Sequence, residues 1–96
     1  MYSKGYYQTW LEELQRRQMD LVFIIFQREF AHYELKKTFK KGEMMGLTDE
    51  PDFRVLKNMM NHQMNHLKLL RTELDDVDLD IEHCSFMIGR LNNLDL

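Results

Sequence analysis

The chain is poor in the residues on which disulfide-stabilised, hydrolytic or membrane-spanning proteins depend. It holds one cysteine, which excludes an intrachain disulfide framework. Its only serines are Ser3 and Ser85, and neither has the neighbours of a hydrolase nucleophile. The longest apolar run, 21–26, falls far short of the ~20 residues that cross a membrane. With no signal-peptide pattern, these absences predict a cytoplasmic, non-catalytic protein without a cofactor or a membrane partner.

Glycine, proline and net charge are also low. Four glycines and one proline among 96 residues are typical of long helices with few interruptions. The formal net charge of −3 lacks the basic surplus that nucleic-acid binding requires, so we expect no direct DNA binding. This length predicts a single domain, 1–96.

A heptad pattern is the strongest positive signal in the sequence. Alternating steps of three and four residues pick out twelve positions in the second half of the chain, eleven of them apolar. They are Phe53, Leu56, Met60, Gln63, Leu67, Leu70, Leu74, Val77, Ile81, Cys84, Ile88 and Leu91. This spacing keeps one seam of a helix facing a partner helix. The first half has a matching seam, which is Tyr7, Leu11, Leu14, Gln18, Leu21, Ile25, Arg28, His32, Leu35 and Phe39.

The two seams predict an all-α fold, a long antiparallel helical hairpin with coiled-coil-like heptads. We expect a loose N-terminal segment at 1–7, a first helix at 8–41, a loop at 42–48 and a second helix at 49–92. Gly42 would allow the chain to leave the first helix. Thr48 or Asp49 would cap the second, with Pro51 in its first turn, and Asn92 would mark its end.

The helices carry more apolar residues than one seam can bury, which favours self-association. Those outside the seams are Val22, Phe23, Ile24, Phe26, Phe30, Tyr33, Met59, Met64, Leu69, Leu79, Phe86 and Met87. Leaving that many large apolar side chains in contact with water costs several kcal/mol. We therefore expect two hairpins to form a homodimeric four-helix bundle or a higher oligomer. The alternative is that the N-terminal segment, 2–10, folds back and covers these apolar side chains.

Two groups of residues are candidates for binding a protein partner. The first is aromatic, consisting of Tyr2, Tyr6, Tyr7 and Trp10; aromatic side chains are frequent anchors in interfaces, but these could instead cover the protein's own core. The second is an acidic ridge that includes Glu73, Asp75, Asp76, Asp78 and Asp80. The ridge could bind a partner, or it could be compensated internally. If the loop ends are Lys41 and Asp49, the numbers of facing residues sum to about 90, and this register sets Arg16 and Arg17 of the first helix opposite the start of the ridge.

An alternative function is metal binding within the helical bundle. Glu29 and His32 are three residues apart, and His62 and His66 are four apart, so each pair shares a helical face as bundle metal ligands do. The competing interpretation is that His32 and Gln63 are hydrogen-bonded polar residues within the core. A small anionic ligand such as a nucleotide is a further alternative. Cys84 lies in the seam and is expected to be a buried apolar residue.

These features together predict a small intracellular protein-interaction module. Its size, its single domain and its lack of catalytic residues suggest an inhibitor or modulator of a host macromolecule, of the kind that phages and mobile elements encode. The interpretation requires an unidentified protein partner in addition to a second copy of the chain.

Overall fold

A computed structural model, which describes residues 2–94, contains two α-helices. They are α1 (Lys4–Met44) and α2 (Pro51–Leu94), and the described residues include no β-strand. The helices are antiparallel and form a hairpin, which confirms the predicted fold class. Neither helix contains a stretch that is long and apolar enough to cross a membrane. The four-helix bundle stays a prediction.

Each helix contributes to two compact units of the hairpin. One unit combines 2–23 with 72–94, and the other is 24–71. In the first unit, the rings of Tyr7 and His83 meet edge to face with centroids 6.3 Å apart. In the second unit, Phe39 stacks on Phe53 with ring centroids 4.4 Å apart. Both units therefore contain a packed α1–α2 contact.

The core follows the predicted seams. All twelve seam positions of α2 are buried or half-buried, and so are nine of the ten on α1; Arg28 is the exception and is exposed. Within residues 2–94, every buried hydrophobic residue lies on one of the two seams. These residues are Tyr7, Leu21, Ile25, Leu67, Val77 and Cys84. The periodicity of the sequence thus identifies the contact face of both helices.

The structure places the start of α1 at Lys4, which corrects the predicted loose segment through Tyr7 and the helix start at residue 8. Ser3 is the reason. Its Oγ accepts a hydrogen bond from the backbone N–H of Tyr6 at 3.2 Å, and its carbonyl accepts one from Tyr7 at 3.3 Å. A serine N-cap of this kind provides partners for amides that the first turn of a helix leaves without one.

The end of α1 also differs from the prediction, because the chain leaves the helix at Gly46 and not at Gly42. Gly46 has φ +72°, a conformation that favours glycine, and its N–H donates to the carbonyl of Glu43 at 3.1 Å. The N–H of Leu47 donates to the carbonyl of Gly42 at 2.9 Å. These two bonds form a Schellman motif, and the helix therefore continues to Met44 rather than stopping at residue 41.

The bounds of α2 move by two residues at each end. It begins at Pro51, where the missing N–H needs no partner, so Glu50 takes the capping position that the sequence assigned to Thr48 or Asp49. At the other end the helix continues through Asn92 to Leu94. Asparagine has only a modest helix penalty, so it does not by itself stop a helix.

Candidate interaction surfaces

Large apolar side chains remain exposed outside the seams. Of the twelve apolar residues that the sequence places there, ten are exposed, while Ile24 and Met87 are half-buried. The ten are Val22, Phe23, Phe26, Phe30, Tyr33, Met59, Met64, Leu69, Leu79 and Phe86. Contiguous exposed apolar surface of this kind marks sites of association more often than scattered single residues do. The outer faces of the hairpin are therefore the candidate functional surfaces.

One of these surfaces is an aromatic face of α1 within the 24–71 unit. Phe26, Phe30 and Tyr33 follow one another at steps of four and three residues, so they share one side of the helix. Their exposed fractions are 68%, 61% and 57%. The Nζ atom of Lys37 lies 5.8 Å from the centroid of the Tyr33 ring, which places a cation at the edge of the face.

A second surface in the 24–71 unit follows α2. Val55, Met59, His62, His66 and Leu69 alternate at steps of four and three residues, and all five side chains are exposed. A groove lined by the first four of these residues is bordered by Arg28 of α1. A smaller groove continues from His62 and His66 to Leu69. The stripe therefore combines three apolar side chains with two imidazole rings.

The predicted aromatic cluster at the N-terminus packs partly against itself and partly against α2. Tyr2 stacks on Tyr6 with ring centroids 4.1 Å apart, and Tyr6 meets Tyr7 edge to face at 5.4 Å. Trp10 lies 6.4 Å from His83, measured between ring centroids. Tyr7 is buried and Trp10 is half-buried, whereas Tyr2 and Tyr6 are exposed. The inner half of the cluster thus covers the core of its unit, and the outer half faces solvent.

The acidic ridge is exposed over most of its length. Asp75, Asp76, Asp78 and Asp80 are exposed and Glu73 is half-buried. Glu73 forms an ion pair with Arg17, as the predicted register requires.

One further ridge residue has a partner on α1. Gln18 donates a hydrogen bond from Nε2 to Asp78 at 2.7 Å. Both side chains of the Arg17–Glu73 ion pair are close to half exposed, so the pair contributes little to stability.

The four predicted metal ligands do not come together. Glu29 accepts a hydrogen bond from Arg71 at 2.7 Å, while His32 Nδ1 lies 3.2 Å from Gln63 Oε1. His62 and His66 line the groove beside Arg28. Within residues 2–94, no group of three or more His, Cys, Asp or Glu side chains is arranged to hold a metal ion. The His32–Gln63 contact is the hydrogen-bonded core pair that the sequence offered as the competing interpretation.

Cys84 is fully buried, and its environment disfavours a thiolate. Burial raises the pKa of the Cys84 thiol, and the negative charge of Asp80 raises that pKa further. Nucleophilic attack and metal binding both require the thiolate, so the thiol is suited to packing within the seam.

Sequence reasoning missed two features of these surfaces. The first is the Glu29–Arg71 ion pair, which is formed between residues that the predicted register does not set opposite each other. The second is the stripe from Val55 to Leu69, whose alternating steps of four and three are visible in the sequence but are obscured by the stronger seam beside it. A search for a second heptad pattern offset from the first would have found it.

No family model, curated protein or solved structure matches this chain.

Proposed function

We propose that this protein is a non-catalytic interaction module that docks a helix of another protein on the aromatic face of α1, formed by Phe26, Phe30 and Tyr33. The observation that carries the proposal is the exposure of three aromatic side chains on one side of a helix whose other side forms the seam. Aromatic side chains bury large areas at low conformational cost and are frequent energetic centres of interfaces.

Charge beside the face indicates the chemistry of the partner. Lys36, Lys37, Lys40 and Lys41 follow Tyr33 on α1, and all four are exposed. A complementary partner helix has an apolar stripe for the aromatic rings and carboxylates next to the stripe for the lysines. Such a surface would suit an inhibitor or modulator of a host macromolecule. Phages and mobile elements encode small proteins of this kind, and we propose this role for the chain.

Site-specific photocrosslinking in the cells that produce the protein tests the proposal. A benzophenone side chain replaces Phe30 in one variant and Gln27, an exposed residue of α1 outside the aromatic face, in a matched control. We expect the Phe30 variant to give a defined adduct with another protein and the Gln27 variant to give much less. The adduct is then identified by mass spectrometry of its peptides.

The identified protein is next purified and titrated with the unmodified chain. Replacing Phe26 and Phe30 by serine should weaken its binding at least about a hundredfold, because two aromatic contacts are lost. Replacing Gln27 by serine should change the dissociation constant by less than about tenfold. Equal adducts from both crosslinking positions, or binding that survives loss of both phenylalanines, would contradict the proposal.

A further inference from the structure

We propose that the groove beside Arg28 binds a small amphipathic monocarboxylate, whose carboxylate pairs with Arg28 and whose apolar body lies along Met59 and Val55. Every residue that lines this groove belongs to 24–71, so the site lies wholly within one compact unit. The groove is separate from the aromatic face of α1 and does not depend on the function proposed above.

Arg28 is the residue that indicates a ligand. It occupies a seam position of α1 but is exposed, whereas the other nine α1 seam positions are buried or half-buried. Within residues 2–94, its guanidinium forms no ion pair or hydrogen bond. Arginine stays protonated in proteins, and its planar fork of N–H donors matches the two oxygens of a carboxylate. The groove thus has a permanent positive charge that lacks a partner.

The surroundings of Arg28 do not supply the missing anion. Glu29 is the next residue of α1, and its carboxylate already accepts a hydrogen bond from Arg71 at 2.7 Å. Among the described residues that line the groove, none is aspartate or glutamate. Residues 53–72 of α2, which form one wall, include four lysine or arginine residues and no aspartate or glutamate. The charge around the groove therefore favours an anion from outside the chain.

The size and lining of the groove indicate what else the ligand carries. Its volume is about 460 Å³, within the range of sites that hold small molecules. Val55 and Met59 line it and are 57% and 49% exposed, so an apolar ligand body would remove their side chains from water. Arg28 is the only lysine or arginine among the described lining residues. One permanent charge matches a monoanion better than the several charges of a nucleotide's phosphates.

The order of residues along the groove gives the length of the ligand. His32 of α1 contacts Gln63 of α2, with Nδ1 and Oε1 3.2 Å apart. Because the helices are antiparallel, Arg28, one turn before His32, lies toward the His66 side of Gln63. Met59 precedes His66 by seven residues, which is roughly 10 Å along the helix axis. A carboxylate held at Arg28 therefore needs an apolar body of about that length, as a medium-chain fatty acid has.

Titration of the full chain with octanoate, followed by NMR of ¹³C-methyl methionine, tests the site. Met59 lines the groove, whereas Met64 is exposed outside it and Met45 lines a different groove near the loop. We expect the Met59 methyl signal to move saturably, with a dissociation constant at or below about 1 mM, and the other two signals to move much less. Met59→Leu assigns the signal.

Two analogues separate the parts of the ligand. 1-Octanol keeps the apolar body and lacks the carboxylate, while acetate keeps the carboxylate and lacks the body. Because the site uses both parts, we expect each analogue to bind at least about tenfold more weakly than octanoate. A groove that only collects apolar molecules would bind octanol as tightly as octanoate, and that result would overturn the inference.

A matched pair of variants tests the role of Arg28. Arg28→Gln removes the unpaired charge and should weaken octanoate binding at least about tenfold. Arg54→Gln removes an exposed arginine of the same unit that does not line the groove, and should change the dissociation constant by less than about twofold in moderate salt. Circular dichroism checks that both variants keep their helices. Equal effects of the two substitutions would mean that octanoate responds only to net charge.

Two further results would overturn the inference. One is a Met59 signal that octanoate at about 10 mM leaves unmoved, or moves no more than that of Met64. The other is a Met59 signal that moves with protein concentration before any ligand is added, since a second copy of the chain would then occupy the groove. Partner binding at the α1 face is measured separately, so failure of either proposal leaves the other testable.

Discussion

The inner seams and the outer faces of the helices use similar residues for different purposes. Leu21 and Ile25 lie on the α1 seam and are buried, whereas Phe26 and Phe30, equally apolar, lie on its outer side and are exposed. On α2, Leu67 is buried in the seam and Leu69 is exposed. Composition alone therefore does not distinguish a core residue from a binding residue in this protein. Position in the heptad does, because it determines which side chains meet the other helix.

The difference between the faces also separates folding from binding. The seams hold the buried core and the His32–Gln63 contact, which together stabilise the hairpin. The outer faces hold rings and charges with little contact inside the chain. If this division is correct, substitutions on the seam change the free energy of unfolding and those outside change association.

The largest effect should come from a pair of substitutions two residues apart on α1. Leu21→Ala removes a side chain with no exposed surface, and we expect the free energy of unfolding to fall by about 2–5 kcal/mol. Met19→Ala removes a side chain that is 73% exposed, and we expect the free energy of unfolding to change by less than about 0.5 kcal/mol. Urea denaturation followed by circular dichroism measures both. Similar values for the two would break the distinction between seam and outer face.

A smaller effect is expected from two glycines inside helices. At Gly42 an added Cβ would lie 3.0 Å from Cε2 of Phe53, whose ring is stacked on Phe39, so Gly42→Ala should destabilise the fold by about 1 kcal/mol. At Gly89 an added Cβ meets nothing within 4 Å, so Gly89→Ala should stabilise it by about 0.5–1 kcal/mol through helix propensity.

Thermal unfolding of the two glycine variants would show melting temperatures moving in opposite directions. An equal increase in the melting temperature of both variants would mean that α1 and α2 do not approach each other closely at Gly42.

The smallest effect is expected at the Glu29–Arg71 ion pair. Both side chains are exposed, and their atoms are 2.7 Å apart. Exposed pairs of this kind contribute about 0.2–1 kcal/mol and are screened by salt. A double-mutant cycle with Glu29→Gln and Arg71→Met should give a coupling energy in that range that decreases in high salt. A coupling energy of several kcal/mol would place this pair with the core.

The contact faces of the helices were predictable from sequence, and the helix ends were less so. Repetition explains the success: many seam positions agree on one face, and a single misfit such as Arg28 does not alter the pattern. A helix end depends on one or two residues. The capping role of Ser3 is not evident among the neighbouring tyrosines, and backbone conformation rather than residue type distinguishes Gly46 from Gly42.

Side-chain partners were the least predictable part of the candidate surfaces. The predicted register brought Arg17 to Glu73 and Tyr7 to His83 correctly, but it did not set Arg71 beside Glu29. Long side chains reach across about a turn of helix, so a register estimated from loop length does not identify their partners. The assignment of Glu29 to a metal site depended on that register.

Urea unfolding of the Phe26→Ser, Phe30→Ser, Tyr33→Ser variant tests the central claim most directly. Serine, phenylalanine and tyrosine have similar helix propensities, so the substitutions remove the aromatic face without weakening α1 itself. We expect the free energy of unfolding at low protein concentration to stay within about 1 kcal/mol of that of the unmodified chain. A loss of several kcal/mol would show that the three rings belong to the protein's own core and are not a docking surface.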